Sequence, residues 1–267
     1  MQKRGQVAVF VVIGLVIVIL LVLLFAFRDT LVRIGKGQIN TGEYLNSQLK
    51  DIQKNVIQKC AEDETFNAVK LYLDNGGKFT EPLNYLIYHG KKYRILCQNI
   101  PNDAKCLSSP LVINNVKEEF NSYLKEKISN CMDFKEFQDK NYELKLPSDL
   151  LLDVTINEDS LVVHVDYEIE LVKDKFDVKS KKFVKKLDVP LGGVIKAVNQ
   201  VLEFRNKYLV FDPVVFDAIN RNKFVVDTNN PYPDELYTVY VSDYKSYKFP
   251  FAITSEGRYD RIEGSIR

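Results

Sequence analysis

Leu161-Val162-Val163-His164-Val165-Asp166-Tyr167-Glu168-Ile169-Glu170-Leu171 is the stretch from which the fold can be read. Leu161, Val163, Val165, Tyr167, Ile169 and Leu171 fall on one side of an extended chain, and His164, Asp166, Glu168 and Glu170 on the other. A strict period of two means a β-strand with one dry face and one wet face. A slip of one residue would carry the whole apolar set into water, so the register is well specified. Just upstream, Leu152, Val154 and Ile156 alternate in the same way, and Asn157-Glu158-Asp159-Ser160 supplies the turn. Downstream, Phe183, Leu187 and Val189 oppose Lys182, Lys186 and Asp188. The three runs predict an antiparallel meander.

Working outward, Pro190-Leu191-Gly192-Gly193 turns the chain into a helix over about 194–206, with Val194, Val198, Val201 and Leu202 inward. A helical or irregular piece follows at Phe216–Ile219. After the loop Asn229-Asn230-Pro231-Tyr232-Pro233 come two tyrosine-rich extended runs, Leu236–Val241 and Tyr247–Ile253. Upstream of the meander the period is helical. Leu45, Leu49, Ile52, Val56 and Cys60 form one stripe of a helix over 41–74, which Gly76-Gly77 closes by accepting positive φ. Tyr85–Tyr88 and Lys92–Leu96 read as a hairpin around His89-Gly90-Lys91. A polar loop containing Pro101 follows, bracketed by Cys97 and Cys106. A second helix is expected over 110–138, with Ser109 as cap, Pro110 in the first turn and the stripe Ile113, Val116, Phe120, Leu124, Ile128 and Cys131. The predicted fold class is therefore α+β: two long helices, then an antiparallel sheet with packed helices. A helical subdomain over 42–140 would carry the hairpin and the Cys97–Cys106 loop, and a sheet-plus-helix subdomain would span 141–267.

The opening of the chain has a different character. After a basic tail, residues 1–5, the run 6–27 is uncharged and mostly Val, Ile and Leu. Twenty-two residues at 1.5 Å each make about 33 Å of helix, enough to cross a hydrocarbon core. A helix apolar on every face belongs in lipid, whereas a soluble one shows a stripe. Phe25-Ala26-Phe27-Arg28 offers no small-residue cleavage site, so the run reads as a transmembrane helix and not a removed secretory signal. A linker, 28–41, joins it to the folded part. Positive charges before the span (Lys3, Arg4) and after it (Arg28, Arg33, Lys36) balance, so they leave its orientation open.

The four cysteines all follow the span. An even number suits disulfides, which persist in oxidising compartments, and this favours a cytoplasmic N-terminus with the large domain outside. Four cysteines allow three connectivities. Local geometry favours Cys97 with Cys106, closing a short loop for a gain of roughly 2.5 to 3 kcal/mol. Cys60 would then join Cys131 across the buried faces of the two long helices. Free thiols in a reducing compartment are the competing reading.

No chemistry-bearing motif stands out elsewhere. Lys+Arg 37 against Asp+Glu 36 gives a net charge of +1, which provides no field for nucleic acid. His89 and His164 lack a partner constellation, and no Cys-x-x-Cys spacing suggests a metal. Asp166, Glu168 and Glu170 have Lys182 and Lys186 as cross-strand neighbours and read as a solvated charge ladder. Gly192-Gly193 at a strand-to-helix junction could present N–H groups to a phosphate, but no Gly-Lys-Ser/Thr follows, and a tight turn is the simpler reason. The tyrosines Tyr237, Tyr240, Tyr244, Tyr247 and Tyr259 suit either a contact surface or half-buried edge strands. No catalytic residue, cofactor or metal ligand is expected.

Lys3-Arg4-Gly5-Gln6-Val7-Ala8-Val9-Phe10 resembles the archaeal type IV pilin-like (class III) signal. That resemblance implies processing between Gly5 and Gln6 by a prepilin peptidase. The glutamate that many pilins carry five residues into the mature chain is Phe10 here. The layout as a whole is similar to a family of single-pass archaeal membrane proteins. These share an Arg/Lys-Gly-Gln start, a first helix with a cysteine, a second with a motif like Asn130-Cys131-x-x-Phe134, a three-strand segment and a helix like 194–206. The resemblance implies a place in the membrane and no activity. The expected function is that of a membrane-anchored, extracytoplasmic, non-enzymatic structural or interaction protein at the cell surface, of minor pilin-like kind. Its partners would be the lipid bilayer and other envelope or pilus-like proteins, not nucleic acid. The alternative is a membrane-tethered extracytoplasmic enzyme or a carbohydrate- or ligand-binding module.

Overall fold

The computed structural model describes residues 41–254, except 101–105, 139, 209–210, 222 and 232, and in addition Ile17. The expected span over 6–27 and the processing site at Gly5 and Gln6 lie outside the described residues, Ile17 apart. Among the described residues no helix is long and apolar enough to cross a membrane.

The chain forms two compact units. The smaller comprises Met1–Ile52, Lys135–Leu146 and Ile169–Ser180. Its described part begins with helical residues 41–52, on which Leu45, Leu49 and Ile52 are buried. A short strand, Glu143–Lys145, pairs antiparallel with Glu170–Val172, matching Leu144 to Leu171. Tyr44 meets Tyr142 at 6.3 Å between ring centres, and the Lys173 ammonium lies 5.5 Å from the Tyr44 ring.

The larger unit comprises Gln53–Phe134, Pro147–Glu168 and Lys181–Arg267. It opens with a π-helical turn, Gln53–Gln58, and helix α1, Lys59–Asp74. The wider turn lets the stripe residues Val56 and Cys60 hand burial on to Thr65, Ala68 and Tyr72, further round the helix. Gly76 and Gly77 close α1 with φ of +65° and +87°, as expected. Arg94 donates to both of their carbonyls, at 3.0 and 2.9 Å, and so ties the helix end to the neighbouring sheet.

Helix α2, Ile113–Cys131, is shorter at both ends than the predicted 110–138. Its start is delayed because residues 109–112 are held by other partners. Ser109 N–H donates to Leu96 O, and the Asn199 side chain grips both the N–H and the carbonyl of Leu111 at 2.9 and 2.8 Å. Ser109 is therefore not a cap. The helix stops where Met132 turns extended, before a separate short helix, α3, Lys135–Gln138. Ile113, the first residue of α2, is exposed, and burial along this helix begins at Val116. The helices pack through Tyr72, Phe79, Phe120 and Tyr123, whose ring centres lie 4.0 to 5.1 Å apart along the cluster. The disulfide Cys60–Cys131 joins the start of α1 to the end of α2, with Cα atoms 6.0 Å apart, so the two run antiparallel. Cys60 is buried, but Cys131 is exposed, which corrects the expectation that both lie inside. Being the last residue of its helix, Cys131 has no following turn to cover it.

The meander appears as expected: β5, Leu151–Ile156, β6, Leu161–Lys173, and β7, Phe176–Leu187, follow β4, Glu143–Lys145. Val154 opposes Val163 and Leu152 opposes Val165. Leu161, Val163, Val165, Tyr167, Ile169 and Leu171 are all buried.

A second sheet has the order β1-β2-β10-β9-β8, with β3 on β2. It comprises β1 (Tyr85–Tyr88), β2 (Lys91–Asn99), β3 (Cys106–Ser108), β8 (Phe224–Asn229), β9 (Glu235–Val241) and β10 (Tyr244–Thr254). β1 and β2 are the predicted hairpin, with His89 and Gly90 at φ of 47° and 75° in a two-residue turn. β10 pairs antiparallel with β9 but parallel with β2, Phe251 beside Arg94. The fold is α+β, yet this sheet is mixed and draws strands from both sides of residue 140. Strand β8 had no place in the sequence reading. Helix α4, Leu191–Lys207, packs on β9 and α1 on β10. A short helix, α5, Pro213–Ile219, is capped by Asp212 and lies on β8.

Candidate ligand groove on the mixed sheet

Side chains alternate across a strand, so the mixed sheet has two faces of opposite character. Phe224, Val226, Tyr237, Val239, Val241, Phe249 and Phe251 point under the helices and are buried. The other face carries polar groups. It holds a groove of about 460 Å³, within the size range of small-molecule sites. β2 contributes Lys91 and Tyr93, β10 contributes Lys248, β9 contributes Leu236, Thr238 and Tyr240, and β8 contributes Asp227, Thr228 and Asn229.

The groove exists because the sheet curls. Strands twist relative to one another, and a bulge bends its strand and increases the twist. β10, at the centre, breaks register twice, between Tyr244 and Lys248 against β9 and between Ala252 and Ile253 against β2. As a result β1 and β8, on opposite edges of the sheet, approach each other: Asn229 Nδ2 lies 3.5 Å from the Tyr88 hydroxyl.

Inside the groove, Tyr240 donates its hydroxyl to Asp227 Oδ1 at 3.1 Å. Partial burial, and then the adjoining Asp227 carboxylate, push the Tyr240 phenol above its ordinary range, so it remains a neutral donor. Lys91 and Lys248 have no carboxylate partner among the described residues, whereas Lys92 is paired with Glu81 at 2.7 Å. Asp227 is the single carboxylate among the described lining residues. The arrangement offers half-buried rings together with hydroxyls, and an amide, ammonium groups and one carboxylate on exposed side chains.

The residues singled out in the sequence do not converge here. Cys97 and Cys106 form a disulfide between β2 and β3, Cα atoms 5.5 Å apart, with Cys106 N–H donating to Asn206 Oδ1 at 3.4 Å. His89 is in the hairpin turn. His164 stands opposite Asp153 on the outer face of the meander. Lys179 and Lys181 reach Glu170 and Glu168 at 3.3 and 3.9 Å, giving a charge ladder whose lysines differ from the pair expected. The terminal tyrosines do not share one surface: Tyr237 is in the core, Tyr240 is in the groove, and Tyr259 lies outside the described residues.

Gly192 and Gly193 belong to the first turn of α4, not to a loop before it, and their role is close packing. Gly193 N–H donates to Glu158 O at 3.0 Å. A Cβ on Gly192 would come within 2.5 Å of Asn157 O, and one on Gly193 would meet the Phe224 ring at the same distance. Within a helix, glycine to alanine ordinarily gains about 0.5 to 1 kcal/mol. Here Gly192→Ala should instead lose about 1 to 3 kcal/mol through the backbone clash. Urea melts of the two proteins decide the sign, and a more stable variant would refute the close approach.

Beneath the sheet lies a charged cluster that no local sequence motif announces. Arg205, on α4, is fully buried and donates through Nε to Glu235 Oε2 at 2.6 Å and through Nη2 to Oε1. Tyr237 donates its hydroxyl to the same Oε2 at 2.5 Å. The available signal was parity, since Glu235 shares the inward face of β9 with Tyr237, Val239 and Val241. Comparison with known proteins adds nothing to these assignments, since no family model, curated protein or solved structure matches the chain.

Proposed function

We propose that the chain is a membrane-anchored extracytoplasmic protein, N-terminus in the cytoplasm, whose disulfide-stapled α+β domain serves as a non-enzymatic interaction module at the cell surface. The anchor is residues 6–27, and the signal at Gly5-Gln6 makes it a minor pilin-like component of the envelope, alongside other envelope proteins. One observation carries the placement: both cysteine pairs are bridged, and disulfides persist where the compartment is oxidising. The curled sheet face supports the interaction role. It presents an open groove of exposed and half-buried polar side chains, with one carboxylate, Asp227, among its described lining residues.

Intact-mass measurement on protein from native membranes tests the placement. The expected mass is four hydrogens below the fully reduced value, with a chain starting at Gln6. A fully reduced mass would count against the outward domain, and a chain retaining Met1 would remove the pilin-type processing. External protease on intact cells should cleave the domain.

A further inference from the structure

We propose that the groove on the mixed sheet binds an acidic polysaccharide, a chain of sugar rings bearing carboxylates. This rests on reading the curled face as the binding surface and adds the ligand's chemistry. Tyr93 and Tyr240 offer planar rings, on which the apolar faces of sugars can stack. Asp227 and Asn229 offer acceptors and donors for paired hydroxyls. Asp227 Oδ1 is held by Tyr240, and Oδ2 is left for a ligand. Lys91 and Lys248 add ammonium groups without carboxylate partners among the described residues, and they outnumber the single lining carboxylate. The groove therefore favours a ligand that brings negative charge.

The alternatives fit less well. A lipid would need an apolar wall, and the apolar lining residue, Leu236, is only 2% exposed. An acidic peptide would seek either buried apolar anchors or an unpaired strand edge. The groove is lined by side chains along the sheet's face, three of them from the edge strand β8, and its apolar residue is too covered to receive such an anchor. A polyhydroxylated ring needs neither, since side-chain donors and acceptors suffice.

The test uses the full-length chain in lipid nanodiscs and three probes: polygalacturonate, neutral dextran and poly-glutamate. Polygalacturonate should bind, and dextran should bind at least roughly tenfold more weakly, the loss expected when charged hydrogen bonds are missing. Lys91→Gln and Lys248→Gln should each weaken polygalacturonate roughly tenfold. Tyr93→Ala should weaken it as well, while leaving any poly-glutamate binding unchanged. All three side chains are partly or fully exposed, so the variants should fold as the parent does. Poly-glutamate binding as tightly, through the same lysines, would overturn the sugar assignment while leaving the face as a binding surface. No binding of any probe, or binding that ignores these substitutions, would overturn the proposal. The membrane placement is read separately, by mass and protease, so its failure would leave this result intact.

Discussion

Replacing Arg205 by alanine should cost about 3 to 5 kcal/mol of folding stability, as removal of one partner from a buried ion pair typically does. Domains of this kind are stable by about 5 to 15 kcal/mol, so the variant should unfold at far lower urea. The reason is the stranded partner. Glu235 sits on the inner face of β9, nearly covered, and its two oxygens are held by the guanidinium and by Tyr237. Without Arg205 that carboxylate would lose its two-pronged guanidinium partner in a low-dielectric interior. Tyr237→Phe removes only one hydrogen bond and should cost about 1 to 2 kcal/mol. The double change Arg205→Met with Glu235→Leu should restore most of the loss, since an apolar pair needs no compensation. Urea midpoints for the four proteins test the scheme. A double variant as unstable as Arg205→Ala would mean that shape, not charge, holds the site.

Removing Cys60 and Cys131 together, by alanine, should lose about 4 kcal/mol, and removing Cys97 and Cys106 about 2.5 to 3. The difference follows from sequence separations of 71 and 9, because a longer closed loop restrains the unfolded chain more. Exposure gives a second outcome. Cys131 is exposed, while Cys97 and Cys106 are buried. A mild reductant applied to the folded protein should therefore open Cys60–Cys131 first, since thiol–disulfide exchange needs access to a sulfur. Alkylation followed by peptide mass mapping reads the order. Prior reduction of Cys97–Cys106 would contradict the burial assigned to it.

Much of this structure is legible in local pattern. Leu161 to Leu171 alternate, and the strand buries the alternating set. Val194, Val198, Val201 and Leu202 recur at helical spacing, and all are buried in α4. Gly76-Gly77 ends a helix because positive φ is nearly free only for glycine. Helix ends are less legible, because the residues that decide them are distant: Asn199 holds Leu111 from 88 positions away. Pro250 argues against a central strand, since it has no N–H for the ladder. β10 is nonetheless central, and Pro250 sits where its pairing with β2 is only about to begin, at Phe251. The groove was invisible because its lining comes from four strands, each contributing one to three residues that no local pattern marks as part of a site.

The amino-acid order by itself determined the periods of the strands and helices, the uncharged run 6–27 and the even set of cysteines, because these depend on neighbours within a turn or a pleat. Only the tertiary structure decided that β10 returns to lie parallel with β2, that Arg205 meets Glu235, and that a curled face gathers Lys91, Asp227, Tyr240 and Lys248. Each of these joins residues far apart in the chain. Such contacts are selected by the burial of whole faces and the pairing of buried charges, and no local window of sequence contains that free energy.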